Sequence, residues 1–143
     1  MKIETTKATI EGEKEENKII MGNTDKMECI IYGSVISKSN TYRIITIKGH
    51  GALGKTPALK KYEESFFMQC AIRDKLVDKR FRLDIDVYYS SDRPDLDNAL
   101  KVVLDCLQSC KAIKNDRLCA EIHARKLIDK DRPRIEFEIT ELL

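Results

Sequence analysis

Residues Phe81–Tyr89 read Phe-Arg-Leu-Asp-Ile-Asp-Val-Tyr-Tyr. Leu83, Ile85, Val87 and Tyr89 fall on one face, and Arg82, Asp84, Asp86 and Tyr88 on the other. So regular a period of two describes a half-buried strand with one side against a core. Ser90-Ser-Asp-Arg-Pro94 ends it, and the period then changes. From about Asp95 to Cys110 the apolar stripe Leu96, Leu100, Val103, Leu104 and Leu107 predicts an amphipathic helix. A one-faced strand followed by a one-faced helix requires a layer of helix on a layer of sheet.

The other segments fit that scheme. Glu28–Val35 is rich in β-branched residues and reads as the first core strand. Tyr42–Lys48 has strand composition and is expected to pair with it, and Gly49–Gly54 to form a flexible loop. Thr56-Pro57 is a helix start, with Thr as N-cap and Pro at the first helical position. Leu59, Tyr62, Phe66, Cys70 and Val77 then predict a long helix of roughly five turns. Leu118–Leu127 and Arg134–Thr140 read as a terminal hairpin turning at Asp129-Lys-Asp-Arg-Pro133. The expected fold is therefore α+β, two-layered, with a mixed or antiparallel sheet and two main helices on one face.

Residues 1–26 carry six acids and five bases with little to bury, so they are expected to be an appendage to a domain spanning 27–143. Residues 7–10 and 19–21 suggest a loose hairpin there. At 143 residues, 42% hydrophobic and 35% charged, the chain is expected to be one globular domain with a charged surface. No apolar run approaches the ~20 residues of a membrane span, and Met1–Lys7 has no signal core, so an intracellular protein without a membrane partner is expected. Five cysteines without a C-x-x-C pair argue against a disulfide framework or a zinc knuckle, and Cys106 and Cys110 read as core or half-buried residues. The net charge of +2 is mild, and basic residues recur in local stripes that read first as a solvated surface and otherwise as a polyanion site.

The chemistry concentrates at the start of the second predicted helix. Asp95 and Asp97 stand two apart, Lys101 follows one turn later and Asp105 one turn after that. Carboxylates this dense call for a counter-charge, and Mg²⁺ takes hard oxygen ligands together with substrate phosphates. Asp116, in Lys114-Asn-Asp-Arg117, is the candidate third ligand. Taken singly, Asp95 reads as an N-cap, Asp97 as a helix-dipole partner, Lys101 as a surface ion pair and Asp116 as a turn residue. The spacing does not fit a calcium loop. Gly49–Thr56 matches the bare G-x-x-x-x-G-K-[ST] pattern, but Pro57 follows and no strand ending in Asp stands at suitable spacing.

The run Asp95-Leu-Asp-Asn-Ala-Leu-Lys-Val-Val-Leu-Asp-Cys-Leu107 resembles the signature of RusA-type Holliday-junction resolvases, D-L-D-N-x-x-K-x-x-x-D-x-L. Asp116 lies where the family's third aspartate is expected, Ser37–Arg43 is similar to its Ser-Asn-x-x-Tyr segment, and Tyr62 stands where a helical tyrosine is common. The likeness covers roughly residues 28–141. Ile113, Asn115 and Pro94 depart from the family's aromatic, first turn aspartate and basic residue.

The resemblance implies a homodimeric, Mg²⁺-dependent endodeoxyribonuclease acting on four-way DNA junctions in recombination and repair. Mn²⁺ is a possible substitute metal. It implies Asp95, Asp97 and Asp116 as metal ligands, and Lys101 as the fourth catalytic residue. Arg93, Asn98, Lys55, Arg125 and Lys126 are the candidates for DNA contact. No small-molecule cofactor is expected. A cytoplasmic protein encoded by a bacterium, phage or prophage is implied. The alternatives are a non-catalytic junction-binding module and a nucleotide-binding protein using Gly49–Thr56.

Overall fold

The alternating segment is one of the two interior strands of the main sheet. A computed structural model describes residues 26–37 and 40–143, so the expected appendage hairpin lies outside the described residues. The elements are β1 (Lys26–Tyr32), β2 (Tyr42–Ile47), β3 (His50–Lys55), α1 (Pro57–Gln69), β4 (Phe81–Tyr89), α2 (Leu96–Ser109), β5 (Cys119–Ile128) and β6 (Arg134–Glu141), with a 3₁₀ turn at Asp116–Leu118. Strands β1, β6, β4 and β5 form one sheet in that order, and β2 and β3 form a second, two-stranded sheet. The fold is α+β.

Every second residue of β4 is buried, from Phe81 to Tyr89. Ile135, Phe137 and Ile139 of β6 and Cys29 and Ile31 of β1 continue that buried layer. Tyr62 and Phe66 of α1 and Val103 and Leu107 of α2 close it from one side. Phe66 stacks on Phe137 with ring centroids 6.2 Å apart and planes 11° apart. The other side of β4 carries Arg82, Asp84, Asp86 and Tyr88, half-buried, and stays polar.

Tertiary packing overrode four local expectations. The first concerns β5 and β6, which are not a hairpin. β5 pairs parallel with β4, with α2 as the crossover, and β6 runs antiparallel between β4 and β1. Burial explains the choice, because β6 has a buried row at Ile135, Phe137 and Ile139 that suits a sheet interior, whereas β5 is mostly exposed and suits an edge. The connecting turn is held over the end of β4 by the Asp129 N–H on the Tyr89 carbonyl at 2.8 Å.

The second concerns β2, which pairs with β3 and not with β1, so the expected glycine loop is a strand. Lys48 (φ 49°) and Gly49 (φ 81°) supply the two positive φ angles of a type I′ hairpin turn. Gly54 lets Ile45 lie close over the ribbon, since a Cβ there would stand 2.8 Å from its Cδ1.

Third, α1 stops at Gln69, short of the predicted length. Cys70 is extended, and Asp74 and Leu76 are left-handed. The amides of Asp74, Leu76 and Val77 bond instead to the carbonyls of Cys110, Lys111 and Ala112, beyond α2. Finally, the buried face of α2 is rotated towards Ala99, Val102, Val103, Cys106 and Leu107, leaving Leu96, Leu100 and Leu104 half-buried.

All five thiols are free, four of them buried, as expected of core cysteines. No helix among the described residues is long and apolar enough to cross a membrane.

Candidate functional site

The sharp turn after β4 delivers the chain to Asp95 at the N-cap of α2. The Asp95 side chain makes no capping hydrogen bond, so its carboxylate stays exposed. Its backbone is fixed by the Tyr89 hydroxyl, which donates to the Asp95 carbonyl at 3.1 Å. Burial, followed by the charges of Asp95 and Asp97, pushes the Tyr89 hydroxyl above its ordinary pKa, so it remains a donor. Asp97 lies in the first turn of α2, where the N-terminal dipole favours a carboxylate.

Asp97, Asn98, Lys101 and Asp105 line one side of a cleft of about 260 Å³. Thr41 and Tyr42 at the root of the β2–β3 ribbon, with Glu63 of α1, line the other. Lys101 Nζ lies 3.1 Å from Asp105 Oδ1 and 3.5 Å from Asp116 Oδ2. The hydrogen bond that Lys101 donates to Asp105, with a smaller contribution from Asp116, raises the lysine pKa and keeps it cationic.

Asp116 reaches this position through the turn after α2. Its N–H donates to Gln108 Oε1 at 2.8 Å, which ties the 3₁₀ turn to the last turn of the helix. Asn115, which replaces the family's first turn aspartate, accepts from the Arg117 N–H at 3.0 Å and caps the same turn. An amide suffices for that task. Ile113, at the family's aromatic position, is fully buried and bridges to Val77.

The structure thus brings Asp97, Asn98, Lys101 and Asp105 to one cleft and links Asp116 to them through Lys101. Among the described residues, no three Asp, Glu, His or Cys side chains are grouped closely enough to hold a metal ion. Asp95 and Asp97 at the N-terminus of α2, and Asp116 in the turn beyond its C-terminus, offer hard carboxylate oxygens, the donor type that a cation such as Mg²⁺ takes.

The candidate DNA contacts divide by location. Arg93 is exposed in the loop before α2. Lys126 bonds that loop, donating to the Asp92 carbonyl at 2.8 Å. Lys55 pairs with Glu63 at 3.0 Å on the cleft's far rim. Arg125 stands apart: it makes a two-toothed pair with Asp86, both bonds 2.8 Å, on the polar face of the sheet that the helices do not cover.

The Gly49–Thr56 pattern does not form a phosphate cradle. Residues 50–55 lie in a paired strand, and Lys55 is held by Glu63. Tyr89, Gln108 and Glu63 are further residues of the site. Their roles come from tertiary contact, and no local spacing marks them.

Two comparisons with known proteins bear on this geometry. The family model described as Endodeoxyribonuclease RusA matches residues 55–140, a span that contains Asp95, Asp97, Lys101 and Asp116. The crossover junction endodeoxyribonuclease RusA of Aquifex aeolicus (strain VF5) is 28% identical over 123 residues, covering 84% of this chain and 95% of that protein. With a match over more than half its length, spanning α1, β4, α2 and the Asp116 turn, the chain belongs to the endodeoxyribonuclease RusA family.

Proposed function

We propose that this protein is an endodeoxyribonuclease that resolves four-way DNA junctions by metal-dependent hydrolysis of paired phosphodiesters, as a homodimer. The observation that carries the reading is the tie between Lys101 and Asp116. It draws an aspartate from beyond the helix to the face that already holds Asp97, in a chain whose family is a nuclease family.

Asp95, Asp97 and Asp116 would hold the metal, with Mg²⁺ the expected ion and Mn²⁺ its substitute. When bound, such an ion lowers the pKa of a water and stabilises charge on a phosphate. The chain's own residues supply the rest. Lys101, kept cationic by Asp105, offers a point charge to a phosphate oxygen. A phosphate drawing on Lys101 would also release Asp116 from its ion pair, leaving that carboxylate available as a ligand. Tyr89 and Gln108 act on backbone atoms and hold Asp95 and Asp116 in place. Arg93, Asn98, Lys55 and Lys126 surround the cleft and its entry loop as DNA contacts. Homodimerisation follows from the substrate, since a four-way junction has two-fold symmetry and a symmetric pair of sites can cut opposed strands. The setting would be recombination and repair in the cytoplasm of a bacterium, or of a host carrying a phage or prophage copy.

The test is a synthetic four-way junction and a linear duplex of the same arms, each incubated with and without Mg²⁺. Paired nicks in the junction alone, only with metal, support the reading. Junction binding without nicking in any divalent metal would leave a binding module in its place. Equal cleavage of the duplex would make the protein a general nuclease.

A further inference from the structure

The β2–β3 ribbon is unlike the rest of the molecule. It stands outside the main sheet, and its apolar side chains do not face the core. Ile44 and Leu53 are directly opposed across the ribbon, 80% and 74% exposed. Tyr42 lies on the same face, two residues from Ile44, and is itself 46% exposed. A two-stranded ribbon alone is marginally stable in water, and adjacent exposed apolar side chains on one mark a contact surface.

Charge narrows the class of partner. From Ser37 to Tyr62 the sequence holds six Lys or Arg and no Asp or Glu. Arg43 and Lys48 of that run are exposed on the ribbon and its turn. An apolar face flanked by bases, with Arg43 on the ribbon's opposite face and Lys48 at its tip, fits a polyanion with apolar faces of its own, which describes nucleobases carried on phosphates.

Position narrows it further. The ribbon's root is pinned to the start of α1: the Thr56 N–H donates to the Thr41 carbonyl at 3.0 Å, and its hydroxyl donates to the Asn40 carbonyl. Thr41 and Tyr42 line the cleft that holds Asp97 and Lys101. The apolar face therefore starts at the candidate active site and leads away from it.

We infer that the ribbon is a DNA-engaging arm. Ile44 and Leu53 rest on bases unstacked at a branch point, and Arg43 and Lys48 hold the flanking phosphates. This inference rests on the proposed nuclease function and adds to it the feature that recognises branched DNA.

The experiment uses the full chain in EDTA, measuring fluorescence anisotropy on the four-way junction and on its linear duplex, with sedimentation equilibrium in parallel. The Ile44→Ser/Leu53→Ser variant should lose about tenfold in junction affinity, keep duplex affinity within about twofold, and retain its mass. The Arg43→Gln/Lys48→Gln variant should weaken both complexes and flatten the salt dependence by roughly two units in log K against log salt. Junction affinity equal to wild type in the apolar variant overturns the inference. So does a fall in mass from dimer to monomer, which makes the ribbon a surface for a second copy. If wild type resolves junctions and the apolar variant binds them unchanged, only the arm fails. If wild type neither prefers nor cuts junctions, the proposed function fails with it.

Discussion

Strand β4 and the β2–β3 ribbon both carry large apolar side chains, and their fates are opposite. In β4 the alternate residues are buried, with Leu83 and Val87 wholly inside. In the ribbon, Ile44 and Leu53 point to solvent. The difference is cover. β4 has α1 and α2 above it and a strand on each side, whereas the ribbon has neither. The candidate carboxylates are attached to the covered unit, where neighbouring packing fixes their backbone. The uncovered ribbon is free to meet a partner. On the proposed reading, the carboxylates whose positions matter most are attached to the packed part and the recognising surface to the uncovered one.

Changes to the two regions should therefore differ sharply in effect. The largest is in the covered layer. Phe66→Ala removes a fully buried ring stacked on Phe137 and should cost about 3–5 kcal/mol by urea denaturation. The single ribbon change Ile44→Ala, at an exposed site, should stay within about 0.5 kcal/mol in the same assay. A ribbon change that costs as much as the core one would collapse the contrast.

Next is Asp97→Asn. It should lower junction cleavage by at least two orders of magnitude while thermal unfolding and junction binding persist. Wild-type cleavage rates in Mg²⁺ would remove Asp97 from the site.

Smaller is Gln108→Ala. It deprives the Asp116 N–H of its 2.8 Å partner and should cost about 1 kcal/mol in stability. It should also slow cleavage more than it weakens binding, because it acts on the position of Asp116. Equal loss of both would make Gln108 a plain structural residue.

Smaller still is Tyr62→Phe. The Tyr62 hydroxyl is buried with no hydrogen-bond partner among the described residues, and burial pushes its pKa far above the ordinary value. Its removal should leave stability unchanged or raise it by up to about 1 kcal/mol.

The smallest effect belongs to pH. Arg125 beside Asp86 holds that carboxyl below its ordinary pKa. A depressed carboxylate contributes stability that is present above the unfolded value near ~4 and is lost as pH falls through the folded one. Wild type should therefore lose slightly more stability than Asp86→Asn on acidification below about pH 4. The two curves should run parallel at neutral pH.

Much of the candidate site was legible. Asp97 and Lys101 stand four apart, about one helical turn, just after Asp95, and Thr56-Pro57 marks the start of α1 where it lies. What was not legible depended on distant partners. Tyr89, Gln108 and Glu63 are ordinary residues in sequence and gain their roles from contacts at the cleft. The glycine-rich stretch looked like a loop because its glycines hid a strand whose register is set by β2 and by a type I′ turn.

The strongly periodic elements, β4 and α2, and the dense carboxylates where they meet are legible in the chain alone, because these depend on neighbours within a few residues. The order of the sheet, the length of α1 and the arrival of Asp116 at Lys101 came from packing between distant segments. In each case groups far apart along the chain competed for the same hydrogen bonds and the same buried area. The winner was the arrangement that covered β4 on both edges and left β2–β3 uncovered.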